Sequence, residues 1–216
     1  MDPGLTAACV YKPGGGFSDD YVYRMRDSLA KYSTAHSRFV CLTDQKLRDI
    51  ECLPFPRRAV GWWNKLSLFA PGMFNGPVAY FDLDTMFVGD ITDILSERVA
   101  FACTTDWLGR GTTVNSTMML WDPRFADFSR IFSAPTQGDE EKYSKGWERW
   151  GDQGRIQDHL PVPFQSLNPR WPGRIVSYKI HVRGLQHGRP DAIPPGASVV
   201  CFHGNPRPHK INWKLV

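Results

Sequence analysis

Short apolar runs recur along the chain at residues 5–11, 38–44, 78–81, 99–106, 115–123 and 198–204, and polar residues close most of them. Runs of this length, rich in Val, Phe, Met and Cys, predict buried strands. Between them the spacing changes. Tyr21, Val22, Met25 and Leu29 recur with the period of a helix face, just after Ser18, Asp19 and Asp20. That trio supplies a capping oxygen and acids for the positive end of a helix dipole. "WWNKLSLFAPG" predicts a short helix stopped by Pro71 and Gly72. Phe125, Phe128 and Phe132 mark a further amphipathic helix, and another begins near Asp152 with Ile156 and Leu160 inside. Strand, helix and strand over residues 5–44 predict a βαβ unit and a parallel sheet. Residues 161–197, rich in Pro and Gly, read as long loops. No internal repeat or second domain is apparent, so residues 1–216 are expected to form one α/β domain.

Composition narrows the class. At 216 residues and 42% hydrophobic the chain is long and apolar enough for a sizeable core. Eight Trp and 13% aromatic residues suit sugar contact as well as core packing. The formal charge of +4 favours an anionic ligand such as a nucleotide. No dense Lys/Arg stripe or groove-reading motif accompanies it, which leaves a non-catalytic nucleic-acid-binding module as a weakly supported reading. The five cysteines are odd in number, widely spaced and without a C-x-x-C pair, so they read as reduced thiols of a cytoplasmic protein. The start, "MDPGLTAACVYK", lacks the basic and apolar regions of a signal peptide, and no stretch of about 18 apolar residues predicts a membrane span.

The polar residues that close the runs carry the chemistry. Asp44, Asp82 with Asp84, Asp106 and His203 all stand at predicted strand ends. In open α/β sheets ligands sit outside the carboxyl ends of strands, so these groups are expected to converge. "YFDLDTMFVGD" holds two acids one residue apart, and positions i and i+2 of a strand share a face. Two like charges so placed repel unless a cation or a shared proton lies between them. Three readings follow: a turn cap, a phosphohydrolase of the haloacid-dehalogenase kind, or a metal-dependent sugar transferase. The phosphohydrolase pattern wants Gly-Thr where Thr85-Met86 stands, and a downstream Asp pair that is missing. In the sugar-transfer reading, hard oxygen ligands suit manganese, with magnesium as the alternative, and His203 is the candidate third ligand. His36, His159 and His187 lie in less telling places.

"VAYFDLDTMFVGDI", "NSTMMLWDP", "GDQ" and "CFHGNPRPHKI", in this order, resemble the GT-A-fold glycosyltransferases, closest to glycosyltransferase family 8 and the short bacterial and phage proteins akin to it. "WWNKLSLF" and "SYKIHVR" are similar to the short bacterial group. The resemblance covers most of the chain. It implies a single-domain, Rossmann-like fold with a central, mainly parallel mixed sheet flanked by helices. It implies transfer of a hexose, of glucose or galactose type, from a UDP-sugar to an acceptor hydroxyl.

The resemblance also implies roles by position. Asp82 and Asp84 match the metal-binding pair, one of them also reaching the ribose, and His203 matches the third ligand. Gly204 matches the glycine that approaches the phosphates. Arg207 stands where the family has a diphosphate-binding Lys, with Lys210 following, and His209 replaces an aromatic. Lys65 matches a basic residue that holds the donor. Asn115 and Ser116 match a segment near the donor sugar, although Thr117 replaces its glycine. Asp106 matches an acid aimed at sugar hydroxyls. Asp152 and Gln153 match the Asp-Gln segment beside the anomeric carbon, and Tyr11 and Lys12 lie where the family meets the nucleobase and ribose. Family 8 enzymes retain the anomeric configuration. The acceptor stays open among a polysaccharide, a lipid-linked sugar, a protein and modified DNA.

Overall fold

A computed structural model describes residues 3–107, 112–133, 137–144, 151–183 and 191–211. His187, part of the 161–197 region and the end of the tail fall outside them. The strands are β1 (Leu5–Val10), β2 (His36–Leu42), β3 (Glu51–Leu53), β4 (Val78–Phe81), β5 (Thr85–Phe87), β6 (Phe101–Thr105), β7 (Val114–Trp121), β8 (Gln165–Ser166), β9 (Ile175–Ser177) and β10 (Val199–Cys201). The helices are α1 (Asp20–Tyr32), α2 (Thr92–Leu95), α3 (Ser129–Phe132), α4 (Gln137–Ser144), α5 (Gly151–His159) and α6 (Leu167–Arg170). A 3₁₀ segment spans Gly61–Phe69, a π turn spans Tyr178–Val182 and a last 3₁₀ turn spans Pro208–Lys210.

Seven strands form the main sheet in the order β3-β2-β1-β4-β7-β6-β8. Its pairs are parallel except those of β7, which runs against both β4 and β6. The mainly parallel mixed α/β sheet expected from the sequence is therefore present. Alternation along the strands builds the two faces. Ala7 and Cys9 of β1 and Phe81 of β4 pack with Val22, Met25 and Leu29 of α1. Ala8 and Tyr80 point the other way, toward Leu66, Phe69, Ile131 and Ile156. Each side chain the size of Leu29, fully buried, contributes on the order of 1.5–3 kcal/mol.

A smaller sheet, β5-β10-β9, completes the fold. β10 runs antiparallel to β5 and parallel to β9, with Cys201 opposite both Thr85 and Ser177. Strands of two or three residues carry no readable period, so β3, β5, β8 and β9 leave no mark among the apolar runs. The 161–197 region contains β8, α6, β9 and the π turn rather than long loops alone.

Other expectations shift for local reasons. Phe125 is 58% exposed and precedes α3, which is only one turn, so Phe125, Phe128 and Phe132 do not form one helix face. The "WWNKLSLF" stretch is 3₁₀ rather than α-helical. β4 stops at Phe81, so Asp82 and Asp84 sit in the turn from β4 to β5 and do not alternate along a strand. The Thr85 amide donates to the Asp82 carbonyl at 2.9 Å and closes that turn.

Candidate functional site

A cavity of about 1050 Å³ opens at the carboxyl ends of β1, β4 and β6, where the topology expects a ligand. Lys12, Lys65, Asp82, Asp84 and Asp106 line it, as do Asn115, Ser116, Asp152, Gln153, His203, Gly204 and Arg207. Three residues expected here stand elsewhere, the first being Asp44, which pairs with Lys12 and does not line the cavity. Tyr11 has the same parity as Ala7 and Cys9, so its ring turns into the core and is 7% exposed. Lys210 is exposed on the last 3₁₀ turn and does not line the cavity.

A buried ammonium organises the floor. Lys65 Nζ lies 2.9 Å from Asp82 Oδ1, 2.9 Å from Asp152 Oδ2 and 2.8 Å from Ser116 Oγ. Ser116 in turn donates to Asp152 Oδ2 at 2.6 Å, and the Tyr80 hydroxyl donates to Asp82 Oδ1 at 2.5 Å. Burial alone would lower the Lys65 ammonium, but the charges of Asp152 and Asp82 outweigh it and raise it above the ordinary lysine range. The 3₁₀ segment places Lys65, and the N-terminal turn of α5 places Asp152. Gly151 opens that helix with φ +56°, and a Cβ there would lie 2.7 Å from Trp62 Nε1, so both the backbone and the packing require glycine. Ser116 reaches the network because β7 bulges: Cys103 pairs Met119, whereas Thr104 pairs Asn115. The same bulge turns the Thr117 carbonyl to accept the Asp82 amide at 2.8 Å, and the Thr117 amide donates to Asn115 Oδ1 at 3.1 Å.

Asp84 is 6% exposed. Burial pushes its carboxyl up to about 8, helped by the charge of Asp82 and opposed by Arg207 and Lys65. His203 arrives from the other sheet. The antiparallel register that sets Thr85 against Cys201 carries the acid turn and the end of β10 to one place. His203 Nε2 lies 2.6 Å from Ser177 Oγ, and its ring stacks on Trp107 at 5.1 Å with the planes 10° apart. Burial and the charge of Lys179 depress the imidazole to about 4, against Asp106, so the ring is neutral near pH 7. Asp82, Asp84 and His203 line one cavity, but among the described residues no three His, Cys, Asp or Glu side chains form a ready cation cage.

The rim is cationic and glycine-rich. Gly204 has φ +87°, a conformation that favours glycine. Arg207 lies 4.0 Å above the Phe17 ring, and its Nη1 is buried without a hydrogen-bond partner. His209, in the place of the expected aromatic, packs edge-on against Tyr21 and is 2.7 Å from its hydroxyl, which docks the segment behind Arg207 onto α1. Lys12 pairs with Asp44 and lies over Phe55. Tyr80, Phe17, Trp62 and Ser177 escaped the sequence reading. Only Tyr80 had a signal, since it shares strand parity with the position of Asp82.

No protein-family model matches this chain, and no curated protein matches it. Solved structures do. It superposes on the glycosyltransferase GlyE of Streptococcus pneumoniae TIGR4 with TM-score 0.65 at 14% identity, covering 100% of this chain and 57% of that one. The apo form of GlyE gives 0.61 at 12% identity, with the same coverage. The galactosyltransferase LgtC, solved with donor and acceptor sugar analogs, gives 0.57 at 14% identity over 96% of this chain and 89% of that one. This chain therefore spans 57% of the length of GlyE. At these identities the likeness is one of fold, the GT-A arrangement.

Proposed function

We propose that this GT-A-fold protein is a metal-dependent glycosyltransferase that moves a hexose from a UDP-sugar to an acceptor hydroxyl, with retention at the anomeric carbon. The observation that carries this reading is the meeting of Asp82, Asp84, His203, Lys65, Asp152 and Arg207 in one cavity at the strand ends, from positions far apart in sequence. The resemblance to family 8 motifs supports it, as do structural neighbours that are glycosyltransferases.

The donor set suits a hard divalent cation. Asp84 is buried beside a second carboxylate without an ion pair among the described residues. His203 is neutral, and Ser177 engages Nε2 and orients the ring, so the imidazole would offer its free nitrogen to such a cation. Manganese or magnesium bound there would neutralise charge that develops on the leaving diphosphate.

The chain's own groups do the rest. Lys65 holds Asp82 and Asp152 at fixed positions against their mutual repulsion. Gly204 allows close backbone approach, and the unpartnered Arg207 Nη1 is a donor in search of a phosphate oxygen. Asp152 Oδ2 is committed to Lys65 and Ser116, which makes this carboxylate a poor nucleophile. That favours front-face attack, in which the acceptor hydroxyl enters on the side the diphosphate leaves and gives its proton to the departing phosphate oxygen. Gln153, on the cavity wall, orients sugar hydroxyls.

A screen of nucleotide sugars with manganese, read by nucleoside diphosphate release and thermal shift, tests the reading. A UDP-hexose is expected to give the largest response. Silence from every nucleotide sugar would overturn it.

A further inference from the structure

The "SYKIHVR" stretch holds a lysine to which the motifs assign no role. β9 ends at Ser177 and runs parallel to β10, with Ser177 opposite Cys201. Lys179 and His203 each follow these partners by two residues, and the charge of Lys179 acts on the His203 imidazole. Beyond β9 the chain makes one π turn, closed by the Arg183 amide donating to the Tyr178 carbonyl at 2.8 Å. Such turns are rare and concentrate at functional sites. Ser177 fastens the turn to the candidate site. Its hydroxyl contacts His203 Nε2 at 2.6 Å and accepts from the Ile180 amide at 3.4 Å, while its amide donates to His181 Nδ1 at 2.9 Å.

The result is an ammonium aimed at the glycine of the "HG" pair. A Cβ built on Gly204 would lie 3.4 Å from Lys179 Nζ. Lys179 is half-buried and has no hydrogen bond or ion pair among the described residues. Asp84, Arg183 and His203 are the charged or titratable groups that act on it. A second unpartnered donor, the buried Nη1 of Arg207, stands three residues after Gly204. Two donors without acceptors thus border one glycine of positive φ, on the rim of the cavity that holds the acid pair.

We propose that Lys179 is a phosphate-binding residue: with Arg207 it brackets the Gly204 backbone and receives the diphosphate of the nucleotide donor. This rests on the donor reading above and adds to it a contact from a different strand, supplied by the smaller sheet. Where a relative would use one lysine after the glycine, this chain divides the work between Arg207 and Lys179.

The test is calorimetric titration of the full chain with UDP, and with uridine as the phosphate-free control, manganese present. Lys179→Met is expected to weaken UDP by about tenfold or more, the scale of one charge-assisted hydrogen bond, and to leave uridine within about twofold. Lys179→Arg, which keeps the charge, is expected to retain most of the UDP affinity. An unchanged UDP affinity in Lys179→Met would overturn the assignment while leaving the donor reading intact. Equal losses of UDP and uridine would overturn it too, since they mark a general disturbance of the fold. If the unmodified chain binds neither ligand, the donor reading itself fails and Lys179 falls with it.

Discussion

Lys65 and Asp152 form a 2.9 Å ion pair whose side chains are only 9% and 7% exposed, and one carboxylate oxygen also accepts from Ser116. A buried pair is weak evidence of net stability, yet breaking it from one side strands a charge. Lys65→Met leaves both Asp82 and Asp152 without their cation. It is expected to cost about 3–5 kcal/mol, measured by urea unfolding at pH 7. Asp152→Asn keeps Lys65 paired with Asp82 and should cost less. Equal stability losses would show that the pair, rather than the Lys65 hub, sets the energy.

Asp84 has the opposite balance. It is buried next to a like charge, and the protein alone gains nothing from its ionisation. Asp84→Asn is expected to leave the metal-free melting temperature unchanged or higher, and to remove the further rise that the proposed function expects from manganese and UDP together. A variant that retains the full manganese-dependent rise would strip Asp84 of its ligand role.

Ser177 does not line the cavity, but it holds His203 at 2.6 Å. Groups that orient a metal-bound histidine affect metal affinity by roughly 10–100-fold. On the proposed metal-dependent reading, Ser177→Ala should raise the manganese concentration needed for half-maximal activity by that order, while kcat at saturating manganese recovers. A loss that excess manganese does not repair would mean that Ser177 serves only the packing of the small sheet.

Asp122 follows β7, far from the cavity. It is 2% exposed and accepts from Arg124 Nε at 2.9 Å and Nη2 at 2.6 Å. Burial opposes ionisation there, but the Arg124 bonds win and hold the carboxyl below the ordinary range. A lowered folded-state value gives stability that is present above the unfolded value near 4 and is lost as the pH falls through the folded value. Asp122→Asn should therefore flatten the acid limb of the stability curve below about pH 4. A limb of unchanged steepness would assign it to other carboxylates.

Much of the frame was legible because alternation and helical period are local signals. Tyr21, Val22, Met25 and Leu29 are the buried face of α1, as their spacing implies. β1 and β4 fall within a residue of the apolar runs that foretold them. The meeting of the β4 and β6 ends follows from the sheet order, whereas His203 reaches the cavity through the antiparallel pairing of β10 with β5, and Asp44 stays outside it. What escaped depends on pairing at a distance. Three-residue strands such as β5 and β9 exist only because β10 lies between them. The place of Tyr11 in a motif implies a ligand contact, whereas its parity with Cys9 sends it to the core. The spacing of Asp82 and Asp84 implies one strand face, whereas the chain turns there. Thr85, shared by the phosphohydrolase and transferase readings, serves to begin β5 opposite Cys201.

That turn is the direct covalent link from β4 to β5, and so from the large sheet to the small one. Asp82 belongs to the first by its bond to Thr117, while His203 belongs to the second by its bond to Ser177. A ligand that grips both acts as a clasp across the seam of the molecule. The slowest amides to exchange on binding should then lie along β9 and β10, remote from the sugar.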